Sequence, residues 1–134
     1  SLAGLRIGYA FVPAWLQPYY TRAGTPFTVN AVSAAAAAAA LTDREHAARY
    51  IAQVTAWRER LAQELKYPVL PSDANFVMID VAPHKSDDIV EKLAAKGVLV
   101  RSCRSFTGLA DHYIRVSIGE TWENERLVRE LNAL

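Results

Sequence analysis

Cysteine is almost absent from this chain: Cys103 is the only one in 134 residues. A lone thiol excludes an internal disulfide and a Cys-rich metal site, and it points to a reducing cytoplasm. Neither sign of charge is in excess, the formal net charge being +1. No basic stripe with interleaved aromatics is visible, and nucleic-acid binding depends on clustered Lys and Arg to neutralise phosphates. Long apolar runs are missing too. The most apolar stretch, Ala31 to Leu41, is mainly alanine and falls short of the ~20 residues that cross a bilayer. No basic segment followed by an apolar run opens the chain, so no signal peptide is expected. Gly4 and Gly8 form no G-x-G-x-x-G dinucleotide fingerprint.

What is present is enough apolar residue, 51%, for a core of one domain or one lobe of a larger one. Leu5 to Val12 is short and apolar, which predicts a buried strand, and Pro13 opens a short helix over 14–20. Gly24 and Pro26 mark a loop over 23–28, and the alanine-rich run 29–40 predicts a helix. Thr42-Asp43-Arg44-Glu45 matches a capping box, opening a helix to about Lys66 with Ala47, Tyr50, Ile51, Val54, Trp57, Leu61 and Leu65 on its apolar stripe. Then come a strand over 75–81, a helix capped by Ser86 and ended by Gly97, strands over 98–100 and 112–118, and a last helix capped by Thr121. This order reads as a small α/β sandwich with one helical face.

Three arginines interrupt or end apolar strands: Arg6, Arg101 and Arg115. A buried guanidinium needs an anion, and its planar fork of donors suits carboxylate or phosphate. Each could alternatively pair with an Asp or Glu to tie elements together. Three in one short chain favour anion recognition. His46, His84 and His112 are scattered and are expected to be exposed. Asp87 and Asp88 are explained by the positive end of a helix dipole, so no metal is expected. Cys103 lies close to Arg101, yet no base partner for a nucleophile is apparent.

The segment Leu2-Ala3-Gly4-Leu5-Arg6-Ile7-Gly8-Tyr9 resembles the stretch that follows the Schiff-base lysine in fold-type I aminotransferases, which depend on pyridoxal phosphate. Gly97-Val98-Leu99-Val100-Arg101, then Tyr113-Ile114-Arg115-Val116-Ser117-Ile118-Gly119 and Glu123-Asn124-Glu125-Arg126-Leu127, resemble the C-terminal signature of histidinol-phosphate aminotransferases. Pro26-Phe27-Thr28-Val29-Asn30 and Ala74-Asn75-Phe76 fall in the same order, so the resemblance covers essentially the whole chain. It implies that Arg6 binds the cofactor's phosphate, Arg115 the α-carboxylate of the amino-acid substrate or its oxo-acid partner, and Arg101 a substrate phosphate. Asn75 would line the site. The matching lysine would lie a few residues before Ser1, so no catalytic residue is assigned here and the chain alone is expected to be inactive.

The resemblance implies an α/β fold that is the C-terminal fragment of a fold-type I transferase. Residues 1–41 would be the remnant of the large cofactor-binding domain, and 42–134 the small domain with a bridging helix over 42–66. The expected reaction is transamination of a phosphorylated amine, histidinol phosphate, with 2-oxoglutarate and glutamate as oxo-acid acceptor and amino donor, in a cytoplasmic homodimer. Arg101 to Leu109 also resembles threonine-phosphate decarboxylases, although those carry a further arginine where Gly119 stands. A stand-alone interaction domain is the reading from another class.

Overall fold

Alanine dominates the helix α2, Ala31–Thr42, and high intrinsic propensity is enough to explain it. Asn30 caps it, its Oδ1 accepting the Ser33 amide at 2.8 Å. The chain is described over residues 2–134 in a computed structural model and divides into two compact units, Ser1–Ala48 and Arg49–Leu134. In the first unit, a 3-10 turn over Ala3–Leu5 precedes α1, Gln17–Ala23, and then α2. Ser33 Oγ donates to the Leu5 carbonyl at 2.8 Å and ties α2 to the turn.

The strand expected over Leu5 to Val12 does not form. Arg6 instead sits in the left-handed region at φ 52° and ψ 41°, and Tyr9 and Phe11 are exposed. A strand needs a neighbour for its amides and carbonyls, and the sheet among the described residues is built from other segments. The first helix lies later than expected because Pro18, rather than Pro13, takes the first-turn position.

The second unit holds the core. Helix α3, Arg44–Glu64, buries Val54, Trp57 and Leu61, while Ile51 on the expected stripe is exposed. Asp43, not Thr42, caps it: Asp43 Oδ1 accepts the His46 amide at 3.0 Å, and Thr42 ends α2. Strands β1, Phe76–Asp80, β2, Arg101–Ser102, and β3, Tyr113–Ser117, make an antiparallel sheet in the order β1-β3-β2. The second strand is thus shorter and later than 98–100.

Helices α4, Ser86–Ala95, and α5, Thr121–Asn132, join α3 on one face of the sheet. Ile89, Leu93, Leu127 and Leu131 pack there against Val77, Ile79, Ile114 and Val116. Ser86 is buried inside the first turn of α4 rather than capping it, its Oγ 2.9 Å from Ser102 Oγ. Glu120, not Thr121, caps α5 through a capping box with Glu123. Gly97, at φ 74°, ends α4 as expected. No helix among the described residues is long and apolar enough to cross a membrane.

Candidate functional site: an arginine pair on the open face of the sheet

Successive strand residues point to opposite faces, so burying Val77, Ile79, Ile114 and Val116 sends Phe76, Met78, Asp80, Tyr113 and Arg115 to the other face. On that face Arg115 stands directly opposite Arg101 of β2 and, on its other side, Met78 of β1. Side chains paired in this way have Cβ atoms roughly 5 Å apart, and like charges so placed repel. Nothing nearby neutralises them: among the described residues neither arginine has a carboxylate within ion-pairing distance. Arg115 Nε is shielded from solvent and has no hydrogen-bond partner. Two unneutralised cations with free donors on one sheet face have the chemistry that suits an anion.

What does hold the arginines is aromatic. The Arg115 guanidinium carbon lies 5.0 Å from the ring centre of Phe76, and that of Arg101 lies 5.1 Å from Phe106. Phe106 is carried by two successive turns after β2, in which its amide donates to the Cys103 carbonyl and its own carbonyl accepts the Leu109 amide. Gly108, at φ 89°, supplies the left-handed residue this loop needs. Cys103 is buried at the base of the loop. Burial pushes its thiol pKa up, opposed by the positive charges of Arg115 and Arg101. A thiol held protonated in this way is a packing group rather than a nucleophile.

Arg6 is in the first unit and is exposed, its Nη1 reaching only the Ala3 carbonyl at 3.4 Å. Arg101 is exposed as well, so of the three arginines Arg115 alone, half-buried on its strand with a shielded Nε, needs an anion to offset burial. Asn75 does not join the arginine pair. Its Nδ2 lies 3.4 Å from Tyr50 Oη of α3, on the helical side of the sheet. His84 and His112 are half-buried rather than exposed. His112 Nδ1 is 2.7 Å from Asp80 Oδ1, and His84 lies against Tyr67. The Asp80 carboxyl is held below its usual range, chiefly by the Ala82 amide and then by His112.

Asp87 accepts from Arg104 Nη1 at 2.6 Å, which accounts for its charge without a metal. A cavity of about 360 Å³ between residues 97–100 and the start of α5, lined by Val100, Trp122 and Arg126 among others, includes neither Arg101 nor Arg115. Phe76 and Phe106 fall in stretches that carry the family resemblance, but neither ring has a role legible in the sequence. Phe76 meets Arg115 only through strand pairing, and the Arg101–Phe106 contact follows no helix or strand period.

The family model for aminotransferase class I and II matches residues 1–131. The chain is 63% identical over 135 residues to a histidinol-phosphate aminotransferase of Methanosphaerula palustris, covering 100% of this chain and 38% of that one. It is 59% identical over 134 residues to the one of Methanoculleus marisnigri, covering 100% of this chain and again 38% of the relative. Among solved structures, histidinol-phosphate aminotransferase from Sinorhizobium meliloti in complex with pyridoxal-5'-phosphate superposes with a TM-score of 0.87 at 27% identity, covering 98% of this chain and 37% of that one. The chain therefore spans about 38% of the length of the curated relatives it matches.

Proposed function

Because the chain belongs to the class I and II aminotransferases, we propose that it is part of a longer enzyme that transfers an amino group from glutamate to form histidinol phosphate, and the reverse. The observation that carries this reading is the cross-strand pair Arg101 and Arg115, two cations on one sheet face with no carboxylate between them. The proposed substrates supply what the pair lacks. Histidinol phosphate brings a phosphate for Arg101, and glutamate or 2-oxoglutarate brings an α-carboxylate for Arg115. With histidinol phosphate bound, which has no carboxylate, Arg115 would turn its donors to the phosphate too.

Pyridoxal phosphate is the cofactor in this reading, and Arg6 fits its phosphate: the guanidinium is exposed and, among the described residues, meets one backbone carbonyl and no carboxylate. When bound, the cofactor supplies the electron sink that makes the substrate's α-hydrogen acidic. Arg6 would anchor the phosphate as a fixed anion, and Arg101 and Arg115 would fix the substrate's anionic end and so orient the reacting carbon. The group that holds the cofactor and moves the proton is expected on a lysine preceding these residues in the parent. For that reason the 134-residue chain alone is proposed to be inactive.

We further assign residues 1–41 to the end of the parent's large domain and 42–134 to its small domain, in a cytoplasmic homodimer. The test uses the complete parent loaded with pyridoxal phosphate. Histidinol phosphate with 2-oxoglutarate in one tube is expected to yield glutamate. Threonine phosphate alone in a second tube is expected to yield no carbon dioxide. Carbon dioxide there would make the enzyme the decarboxylase that the Arg101–Leu109 stretch also resembles, and neither product would refute the reading.

A further inference from the structure

Arg101 and Arg115 face each other across two strands, repel, and among the described residues have no acid to hold them. A long side chain in that state would swing toward solvent and present no fixed geometry to a ligand. Each instead has its guanidinium over an aromatic ring, Phe76 for Arg115 at 5.0 Å and Phe106 for Arg101 at 5.1 Å. Neither ring is a core residue. Phe76 lies on the sheet face away from the core, and Phe106 is 41% exposed on a loop. A ring face attracts the cation without using any of its N–H donors, whereas a carboxylate would consume them.

We propose that Phe76 and Phe106 are positioning residues that hold the two arginines in register for the substrate's anionic group. The rings do by stacking what a structural salt bridge does elsewhere, and they leave the full hydrogen-bonding fork free. The loop from Cys103 to Leu109 thereby becomes a determinant of affinity for the phosphorylated substrate, because it alone carries the ring beneath Arg101. This inference rests on the proposed reading of the arginine pair as the substrate's anion site.

The experiment compares Phe106→Leu, Phe76→Leu, Phe106→Tyr, Arg101→Ala and Arg115→Ala in the complete, cofactor-loaded parent. It measures KM for histidinol phosphate, inhibition by inorganic phosphate, kcat and melting temperature. Phe106→Leu is the decisive variant, since a half-exposed loop residue can lose its ring without unfolding the domain. The expected result is a rise of about five- to tenfold in both KM and the phosphate inhibition constant, with kcat changed less than about twofold. Phe106→Tyr, which keeps the ring, is expected to stay within about twofold of the parent. Leucine variants with unchanged KM and phosphate inhibition, beside arginine variants that are impaired, would overturn the positioning role alone. Arginine variants that also leave both values unchanged would overturn the anion-site reading, and this proposal with it.

Discussion

Residues 49–134 and residues 2–48 are both rich in apolar side chains, but only the first set buries them. Among the described residues every buried apolar one lies at Val54 or beyond, whereas the earlier segment buries Ser33 and exposes Tyr9, Phe11, Trp15, Phe27 and Val32. The difference separates two sources of structure. Helix α2 needs only alanine propensity and the Asn30 cap, both local, and it forms without a core. The sheet of the second unit needs partners far apart in sequence, with Val77 opposite Val116 and Ile79 opposite Ile114, and it forms because those partners are in the chain. Among the described residues the expected strand at Leu5 to Val12 finds no such partner: Leu5 ends the 3-10 turn and residues 7–12 remain irregular.

The largest expected effect lies in the core. Leu61, fully buried, is expected to cost about 2–5 kcal/mol on truncation to alanine in urea unfolding. Phe27→Ala, at a fully exposed ring, is expected to cost less than about 0.5 kcal/mol. Equal costs would erase the distinction.

Next in size is self-association. The uncovered aromatics of the first unit are expected to make the 134-residue chain associate in sedimentation, and the double variant Phe11→Ser, Trp15→Ser to weaken that association roughly tenfold. A clean monomer over a wide concentration range would contradict it.

Smaller effects should come from the caps. Glu123→Ala removes the acceptor of the Glu120 amide, bonded at 2.7 Å, and is expected to lower stability by about 1 kcal/mol in thermal unfolding. Asn30→Ala removes an equivalent cap in the first unit. It is expected to reduce helical circular dichroism while leaving the main cooperative transition in place.

The smallest effect is a pH dependence at Asp80. Its pKa is depressed in the folded state, first by the Ala82 amide. It therefore contributes stability above the ordinary aspartate range, and that contribution is lost as pH falls through the lower folded value. Asp80→Asn is expected to flatten the fall in the urea midpoint between neutral pH and about pH 3. An unchanged acid limb would show that Asp80 is not a source of it.

Much of this was legible beforehand because it is local. The apolar stripe of α3, the helix stop at Gly97 and the apolar runs of β1 and β3 marked the second unit's elements in order, although the second strand lies at Arg101–Ser102 rather than 98–100. Cap positions slipped by one residue at Thr42, Ser86 and Thr121 because adjacent residues compete for the same amides. Asp43 and Glu120 won at two of those sites, and at the third Ser86 turned to Ser102 instead. Arg101 and Arg115 stood out as arginines in apolar surroundings, yet their facing each other depends on strand register, which no local pattern specifies. The rings beneath them were invisible for the same reason. Asn75 carried a family motif but turned to Tyr50, since an exposed amide at a strand's start takes the nearest polar partner.

In the proposed function the two regions take different anions: the cofactor's phosphate goes to Arg6 in the first, and the substrate's charge to Arg101 and Arg115 in the second. The most direct test measures cofactor dissociation and substrate KM side by side in the complete parent carrying Arg6→Ala or Arg115→Ala. A crossed result is expected. Arg6→Ala should weaken cofactor retention by a few kcal/mol. Arg115→Ala should raise KM for glutamate comparably while keeping the cofactor bound. An Arg6 variant that holds the cofactor as tightly as the parent, or an Arg115 variant that loses it with KM unchanged, would contradict the assignment.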